Sequence, residues 1–505
     1  MAELLLGIDV GTSAVKAGLF NAEGRLFGLG RTAHAVSAPR PTWAECDPEL
    51  WWRGILKSLA EACRQAGVGP QDVAAVGMGV LFPVVVPLDR NARALHPAIL
   101  YSDQRSLHQV RAIEDAVGRK RYEAMIGNNL VPGTCAVTSM AWLRDEKPEA
   151  YSKAETVAFA NTFVAARLTG EFCADPSMVG LSGLVDMSDP WRWSADLCEQ
   201  VGIDADRLPR IAGAAEVIGG VSQAAARETG LRPGTPVVCG AGDVIVCAVG
   251  AGALSPDTLV YIAGSTDSVA MPVRKPTSGR RWACTGYVPR DTWLGVGANT
   301  SSGVSVEWFA REVLGRTGGA GLREMTRLAA TSPPGSNRLL FLPYLQGERT
   351  PVWDPLARGM FVGLTSATTR ADMARAVFEG TSFALRQLVD CAEDAAGRAP
   401  REIRAVGGGT NNDLWNQIKA DVLQRPLQVL GFQETGALGG ALLAGLGAGL
   451  YASFEEAVTV ARSVGGTRTI EPDPTVTGLY EGLFSLYERL YAETRDIAHG
   501  LAAES

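Results

Sequence analysis

The fold is indicated first by residues 4–29, which read LLLGIDVGTSAVKAGLFNAEGRLFGL. Apolar runs at residues 4–9, 15–20 and 25–29 are separated by Gly11-Thr12-Ser13 and by a turn that contains Gly24. Apolar runs bounded by glycine and small polar residues are typical of antiparallel strands. The stretch therefore predicts a three-stranded antiparallel meander at the start of the first domain.

The chain that follows alternates between helix and strand. Residues 48–66 have apolar positions at helical spacing, and residues 73–78 form an apolar run after a Gly-Pro break. Further on, an apolar run from residue 236 enters a glycine-rich bend, after which residues 244–249 have helical character. A meander followed by alternating helices and strands predicts an α/β layered domain.

The design of the opening hairpin recurs in mid-chain. Residues 258–263 are apolar, Gly264-Ser265-Thr266 is a turn of glycine and hydroxyl residues, and a second apolar run follows. This repeat predicts an internal duplication. We therefore expect two domains, residues 1–250 and residues 251–505, with a boundary near residue 250.

Length and composition agree with two domains and exclude several classes of protein. A chain of 505 residues exceeds one ordinary core, and 46% hydrophobic with 20% charged residues is typical of a globular protein. The net charge of -7, without a basic tract, argues against nucleic-acid binding. The start of the chain lacks a signal-peptide pattern, and no apolar run reaches membrane-spanning length. Nine cysteines lie singly without a CxxC motif, so we expect reduced thiols and a cytoplasmic protein with no membrane partner.

The two hairpins are candidate phosphate sites. Glycine permits close approach of the backbone to an anion, hydroxyl groups donate to phosphate oxygens, and Asp9 would hold a hydrated magnesium ion. A plain hairpin turn is the alternative, but donors from two hairpins would bind a triphosphate better than one. The nucleotide-binding candidates of the hairpins are Gly11, Thr12, Ser13, Lys16, Gly264, Ser265 and Thr266.

Asp243 is the candidate catalytic base. It ends the bend Gly240-Ala241-Gly242, between a predicted strand and a predicted helix. Phosphoryl transfer requires positioning, charge neutralisation and a carboxylate that accepts the proton of the acceptor hydroxyl. The alternative is that Asp243 caps the helix that follows it.

Two further segments are binding candidates. A run of three glycines precedes a predicted helix and would let adenine lie against main chain, although a flexible corner is the alternative. Its candidate residues are Gly408, Gly409, Thr410 and Asn412. Asp103 and Arg105 would bind sugar hydroxyls, or else form an ordinary ion pair.

Several enzyme classes are excluded by missing motifs. The sequence has no GxxxxGK[ST] motif, so it is not a P-loop kinase. A Rossmann dehydrogenase would have a GxGxxG motif after a strand, together with an acidic partner, and this combination is missing as well. Its four histidines and the lack of HExxH argue against a histidine-built zinc site.

At these residues the sequence resembles the FGGY carbohydrate kinases, which share the fold of the actin and sugar kinase superfamily. The stretch from Gly7 to Ser13 resembles the family's first phosphate motif, and Gly240 to Asp243 its catalytic-base motif. The longest match is FLPYLQGERTP, which occupies residues 341–351.

The resemblance implies two RNase H-like α/β domains with a central cleft, in which a sugar is phosphorylated by ATP. It implies that Asp243 is the base, that Asp9 organises magnesium and the phosphates, and that Asp103 contacts the substrate. A small-molecule sugar is the implied partner, and a homodimer is the implied assembly. Trp43 and Glu45 are expected to have structural roles.

Within the family the chain is most similar to xylulokinases, which makes a pentulose such as D-xylulose the first expected substrate. Phe82 and Pro83 stand where xylulokinases carry a Met-His pair that shapes the sugar pocket, so both are substrate-binding candidates. The exchange removes an imidazole donor and adds bulk. Kinases of ribulose, gluconate, glycerol or an erythritol-like polyol remain alternatives, as does a nucleotide-binding sensor that transfers no phosphate.

Overall fold

The computed structural model describes residues 3–277 and 282–503. Its strands, in chain order, are β1 (Leu4–Val10), β2 (Ala14–Phe20), β3 (Leu26–Ala33), β4 (Glu45–Cys46), β5 (Val73–Val80), β6 (Val86–Leu88), β7 (Ala98–Ile99), β8 (Thr156–Ala158), β9 (Cys173–Ala174), β10 (Arg210–Ile211), β11 (Val217–Gly220), β12 (Pro236–Val238), β13 (Ala241–Gly242), β14 (Thr258–Ala263), β15 (Asp267–Val273), β16 (Ala283–Gly286), β17 (Trp293–Ala298), β18 (Leu340–Leu342), β19 (Met360–Val362), β20 (Glu402–Val406), β21 (Leu427–Leu430) and β22 (Thr467–Ile470).

The α-helices, in chain order, are α1 (Pro48–Ala66), α2 (Leu107–Val117), α3 (Arg119–Ile126), α4 (Ala136–Glu146), α5 (Pro148–Lys153), α6 (Ala160–Thr169), α7 (Pro176–Gly180), α8 (Ala195–Val201), α9 (Gln223–Thr229), α10 (Asp243–Gly250), α11 (Gly303–Glu312), α12 (Gly318–Ala329), α13 (Arg370–Ala396), α14 (Asp413–Leu423), α15 (Thr435–Gly447), α16 (Phe454–Ser463) and α17 (Thr477–Ala503). Short 3-10 helices lie at Pro70–Asp72, Ala205–Arg207, Ser336–Arg338 and Gly408–Asn411.

The chain divides into two compact units, neither of which is continuous in sequence. The first unit consists of Met1–Ser255, Pro272–Gly295 and Glu434–Val464. The second consists of Pro256–Met271, Val296–Gln433 and Gly465–Ser505. Helices α15 and α16 therefore belong to the first unit although they follow most of the second in the chain. The domain boundary near residue 250 stays a prediction, because these units are defined by packing and not by sequence order.

The first unit contains a mixed sheet with the strand order β11-β12-β5-β1-β2-β3, and β13 also pairs with β5. Strands β1, β2 and β3 form the predicted antiparallel meander, while β1 and β5 are parallel. Helix α15 packs closely on β1, since a Cβ on Gly7 would lie 1.8 Å from the carbonyl oxygen of Ala437. A glycine is required there because any side chain would push the helix off the sheet.

Helix α1 shows why its sequence forms a helix with those ends. The carboxylate of Asp47 accepts a hydrogen bond from the backbone of Glu49, Pro48 occupies the first turn, and Gly67 ends the helix in the left-handed conformation with φ of 67°. Such capping satisfies backbone groups that the helix itself leaves unpaired. The predicted bounds of residues 48–66 are confirmed.

The second unit repeats the topology of the first around the mid-chain hairpin. The sheet that contains this hairpin has the strand order β16-β17-β15-β14-β20-β21-β22. Strand β14 is antiparallel to β15 and parallel to β20, as β1 is antiparallel to β2 and parallel to β5. The predicted α/β fold with two similar domains is confirmed, and the hairpin at Gly264 has the same place in its sheet as the hairpin at Gly11.

Within the described residues, none of the helices is both long enough and apolar enough to cross a membrane. The nine cysteines are all free thiols, and eight of them are buried. These thiols are packed as small apolar groups in the interior.

Candidate active site

Two carboxylates lie on either side of β5 in the first unit. In the sheet register, Asp9 of β1 is paired with Gly79 of β5, and Ala241 of β13 is paired with the same glycine from the other side. Asp243 follows β13 directly and begins α10. Because β1 and β13 both run parallel to β5, Asp9 and Asp243 lie at the same edge of the sheet, where the strands end.

The environment of Asp243 suits a proton acceptor. Burial, and after it the charge of Asp9, raises the pKa of Asp243 to about 7. One carboxylate oxygen accepts a hydrogen bond from the backbone of Val244 at 2.8 Å. The residue at the helix N-cap position is Gly242, so the alternative in which Asp243 caps α10 is not supported.

Lys16 faces Asp9 but is mainly paired with Glu434. Its ammonium nitrogen lies 2.7 Å from a carboxylate oxygen of Glu434 and 3.8 Å from one of Asp9. Burial raises the pKa of Asp9, the charge of Lys16 opposes this, and Glu434 adds to it. Burial would lower the pKa of Lys16, but the two carboxylates together raise it. Lys16 is thus a fully charged group beside Asp9 at neutral pH.

The turn after β1 is held by residues from other parts of the first unit. The imidazole Nε2 of His34 donates to the carbonyl oxygen of Gly11 at 3.0 Å, and the backbone of His34 donates to Ser13 at 2.9 Å. The hydroxyl oxygens of Thr12 and Tyr101 lie 3.3 Å apart. These contacts connect the turn to other parts of the first unit, and Ser13 is exposed.

Phe82 lies beside the segment that carries Asp243. A Cβ on Gly242 would lie 2.6 Å from a ring carbon of Phe82, so the ring rests against the backbone of this glycine. Phe82 is half-buried and Pro83 is buried. An aromatic face therefore borders the position of Asp243, while Pro83 offers little surface to a ligand.

Asp103 and Arg105 form a buried ion pair. One carboxylate oxygen of Asp103 accepts from the backbone and Nε of Arg105, and the other accepts from Nη2 of Arg105 and from the backbone of Ala44. All four acceptor positions of the carboxylate are thereby used. Both side chains are 1% exposed. Their predicted contact with a sugar is therefore not supported, and the ion-pair alternative describes them better.

The guanidinium of Arg105 is also enclosed by aromatic rings. It lies 3.6 Å from the ring centroid of Trp43 and 4.7 Å from that of Trp142, and Nη1 donates to Glu45 at 2.7 Å. Cation–π contacts are strong where the cation is desolvated. The structural roles predicted for Trp43 and Glu45 are confirmed by these contacts.

In the second unit, two glycine-rich turns lie side by side. Ile262 near the end of β14 is paired with Val406 at the end of β20, so the segments that follow both strands emerge at one edge. A Cβ on Gly409 would lie 2.9 Å from the Cβ of Ala263. Gly264, Ser265 and Gly408 are exposed there, whereas Thr266 and Gly409 are partly exposed. The sheet thus brings together the predicted phosphate hairpin and the predicted adenine loop.

Thr410 and Asn412 both make structural contacts within the second unit, and their nucleotide contact stays a prediction. Thr410 is 2% exposed and donates to the carbonyl oxygen of Gly407 at 2.8 Å. Asn412 is the N-cap of α14: its oxygen accepts from the backbone of Trp415, and its amide donates to Thr326. These contacts use the oxygen and one N–H of the Asn412 amide, and the residue is 7% exposed, so little of the amide is available to the edge of adenine.

The longest family-like motif has a buried carboxylate at its centre. Glu348 is 4% exposed and accepts from the backbone of Thr300 and of Arg349, each at 2.7 Å. Arg349 in turn donates to the carbonyl oxygen of Asn299 at 2.7 Å. The motif therefore supports the segment that precedes α11.

Two residues near Asp9 were not predicted from the sequence. His34 has no signal in the sequence, since its role depends on the pairing of β2 with β3. Glu434 precedes α15, and only the packing of that helix on β1 brings it near Lys16.

Comparisons with known proteins show which family the chain resembles over nearly its whole length. The model of the FGGY family of carbohydrate kinases, N-terminal domain, matches residues 4–250, and the C-terminal domain model matches residues 259–448. Xylulose kinase from Bacillus subtilis (strain 168) is 28% identical over 495 residues, which cover 98% of this chain and 97% of that protein. L-xylulose/3-keto-L-gulonate kinase from Escherichia coli (strain K12) is 30% identical over 501 residues, or 97% of each chain. The crystal structure of xylulose kinase from Rhodospirillum rubrum superposes with a TM-score of 0.89 at 29% identity and covers 98% of this chain and 100% of that chain.

Proposed function

Since the chain belongs to the FGGY family of carbohydrate kinases, we propose that it transfers the γ-phosphoryl group of ATP to a hydroxyl of a small sugar, with a pentulose such as D-xylulose as the first candidate. It is a xylulokinase-like sugar kinase, and its relatives span nearly its full length. The substrate within that class and the roles of individual residues form the proposal.

The observation that carries the mechanism is the pair of carboxylates beside the end of β5. With a pKa of about 7, Asp243 is ionised in part of the molecules at neutral pH and can accept a proton there. In the proposed step, the sugar hydroxyl oxygen bonds to the γ-phosphorus, its proton passes to Asp243, and the bond to the leaving ADP oxygen breaks. Asp243 then returns the proton to solvent.

The charges around Asp9 fit a divalent cation. Asp9, Asp243 and Glu434 carry three negative charges when ionised, against the single positive charge of Lys16. Among the described residues, no cluster of three or more His, Cys, Asp or Glu could hold a metal by itself. Magnesium commonly binds through one or two carboxylates with phosphate and water completing its shell, so Asp9 is the proposed protein ligand. When bound, the ion neutralises phosphate charge.

For the nucleotide we propose contacts from both hairpins. The turn at Gly11, Thr12 and Ser13 and the exposed residues Gly264 and Ser265 supply backbone and hydroxyl donors for phosphate oxygens. The exposed Gly408 and the partly exposed Gly409 offer a flat surface for adenine. Lys16 contributes positive charge near Asp9 and is otherwise occupied by its pairing with Glu434.

The sugar is proposed to bind beside Phe82. Its ring supports Gly242 and would present an apolar face to the C–H groups of a sugar whose hydroxyl reaches Asp243. Tyr101, whose hydroxyl neighbours Thr12, is a further group at this site. One relative is named for both L-xylulose and 3-keto-L-gulonate, so sugars and sugar acids other than D-xylulose need testing.

The test is a coupled ADP-release assay on the full chain with a panel of acceptors: D-xylulose, L-xylulose, ribulose, gluconate, glycerol and erythritol. We expect one or a few ketoses to give turnover that Asp243→Asn lowers by about 10²–10⁴-fold while Mg-ADP binding persists. Asp496→Asn, whose side chain is 91% exposed, is the matched control. Hydrolysis of ATP that is independent of every sugar would favour the sensor instead, and unchanged turnover in Asp243→Asn would remove this residue from the mechanism.

Cytoplasmic location and a homodimer belong to the proposal as well. The nine free thiols agree with a reducing compartment. The homodimer rests on the family resemblance alone and is checked by sedimentation of the purified chain.

A further inference from the structure

We propose that Asp267 and Lys419 act as a buried charge pair that positions the hairpin Gly264-Ser265-Thr266 for nucleotide binding. The inference rests on the proposed function, in which this hairpin contacts the phosphates of ATP. Both residues are positioning residues, because neither reaches a ligand at the exposed edge: Asp267 and Lys419 are each 0% exposed.

Asp267 ties the hairpin to the segment before α11. Its carboxylate accepts from the hydroxyl of Tyr261 at 2.9 Å and from that of Ser302 at 2.7 Å. Its backbone N–H donates to the side-chain oxygen of Asn299, and its carbonyl oxygen accepts from the backbone of Asn299. Four hydrogen bonds therefore converge on the residue that directly follows Thr266.

The same segment supports the tip of the hairpin. The backbone N–H groups of Ser302 and Val304 donate to the carbonyl oxygen of Ser265 at 3.2 and 3.0 Å. A Cβ on Gly303 would lie 2.5 Å from the carbonyl oxygen of Gly264, so the two backbones are in direct contact. A shift of Asp267 would consequently move the exposed residues of the hairpin.

Lys419 supplies the countercharge from α14. Its ammonium nitrogen lies 3.8 Å from the ring centroid of Trp415 and 5.0 Å from that of Tyr261, and it has no hydrogen-bond partner among the described residues. Asp267 is the charged group that acts on it. Burial lowers the pKa of Lys419 to about 8, and the charge of Asp267 opposes the shift. Burial raises the pKa of Asp267, and Lys419 opposes that shift.

The groups around Lys419 argue against the interpretation that this lysine only stabilises the fold. Tyr261 of β14, Asp267 of β15 and Trp415 of its own helix lie around the ammonium, and Phe378 of α13 packs against Trp415. A desolvated amine without hydrogen bonds is costly, and an apolar side chain would fill the same volume at lower cost. The charge is therefore better explained by its effect on Asp267.

The pair of Asp267 and Lys419 also connects the two glycine-rich turns that we propose as nucleotide contacts. Helix α14 begins after the glycine loop, and the amide of Asn416, one turn before Lys419, donates to the carbonyl oxygen of Thr410 at 2.6 Å. Lys419 thus lies in the helix that anchors the predicted adenine loop, while Asp267 anchors the predicted phosphate hairpin. Attraction between the two would hold both turns in one arrangement.

The test measures Mg-ADP binding by calorimetry, in the absence of sugar, for the full chain and for Asp267→Asn, Lys419→Met and the double variant. We expect each single variant to bind Mg-ADP about tenfold more weakly and the double variant to recover to within about threefold, because removing both charges leaves neither unpaired. The KM for ATP should rise accordingly, while the KM for the sugar changes less than about twofold. Lys57→Met, an exposed lysine of α1, is the matched control and should bind as the unmodified protein does.

A second readout is the pH dependence of Mg-ADP binding. Because Lys419 loses its proton as the pH rises past about 8, Mg-ADP affinity of the unmodified protein should fall between pH 7 and 9.5, and the fall should be absent in Lys419→Met. A purely structural pair would change the melting temperature and leave both the affinity and its pH profile unchanged. Folded single variants that bind Mg-ADP normally, or a flat pH profile of the unmodified protein, would overturn the inference. Since binding is measured without turnover, failure of the kinase proposal would appear separately, as absence of ADP release with every acceptor.

Discussion

The pH dependence of turnover is the most direct check on Asp243. Its pKa of about 7 arises from burial and from the charge of Asp9. A base with this pKa is about one-tenth ionised at pH 6 and about nine-tenths ionised at pH 8. If proton acceptance by Asp243 limits the chemical step, kcat/KM should rise about tenfold between these two values and level off above pH 8.

The assay records initial rates of ADP release at low substrate concentration, with free magnesium and ionic strength held constant and the coupling enzymes in excess at every pH. Under these conditions kcat/KM reports ionisations of the free enzyme. Asp243→Asn should abolish the rise of kcat/KM between pH 6 and pH 8 together with most of the rate, because the amide cannot accept the proton. Asp496→Asn should keep both the pH dependence and the rate, since its side chain is exposed and belongs to the other compact unit.

Two results would refute the reasoning. A rate that stays constant from pH 6 to pH 8 would mean that Asp243 is fully ionised throughout or does not accept the proton. If the rise of kcat/KM with pH persists with the same midpoint in Asp243→Asn, it arises from the ionisation of another group.

The other predictions concern the framework of the first unit. Arg105→Met removes the cation that pairs with the buried Asp103, and we expect a loss of about 3–5 kcal/mol in unfolding free energy by urea titration; a loss below about 1 kcal/mol would mean that the pair is solvated. Gly7→Ala places a methyl group 1.8 Å from the carbonyl oxygen of Ala437, so we expect destabilisation of about 1–3 kcal/mol or more. The control Gly482→Ala, where a Cβ meets nothing within 4 Å in α17, should instead stabilise by about 0.5–1 kcal/mol, and equal effects of the two would contradict the packing argument.

Local sequence signals predicted the elements around the site well. The helix at 48–66 has strong end signals in Asp47, Pro48 and Gly67, and its predicted bounds are those observed. The predicted strand at 25–29 instead extends as Leu26–Ala33, because pairing with β2 continues past the apolar run. The second hairpin was recognisable because Gly264 and its hydroxyl neighbours repeat the pattern of the first.

Side-chain roles were harder to predict than elements. Asp103 and Arg105 have the residue types of a sugar site, yet their hydrogen bonds are satisfied internally. Asn412 follows a glycine-rich turn, but the start of α14 uses both of its polar groups. A sequence pattern indicates which groups can bind, and the neighbours in space determine whether those groups are free.

Local patterns were enough to predict the two hairpins and the α/β class and to single out Asp9 and Asp243 as candidates, because turns and apolar periodicity depend on residues close together in the chain. Folding is needed to pair Glu434 with Lys16 and to bring Lys419 within range of the charge of Asp267. These partners are separated by more than a hundred residues, and sheet register and helix packing bring them together. Their charges interact through space, so no local pattern in the sequence records the interaction.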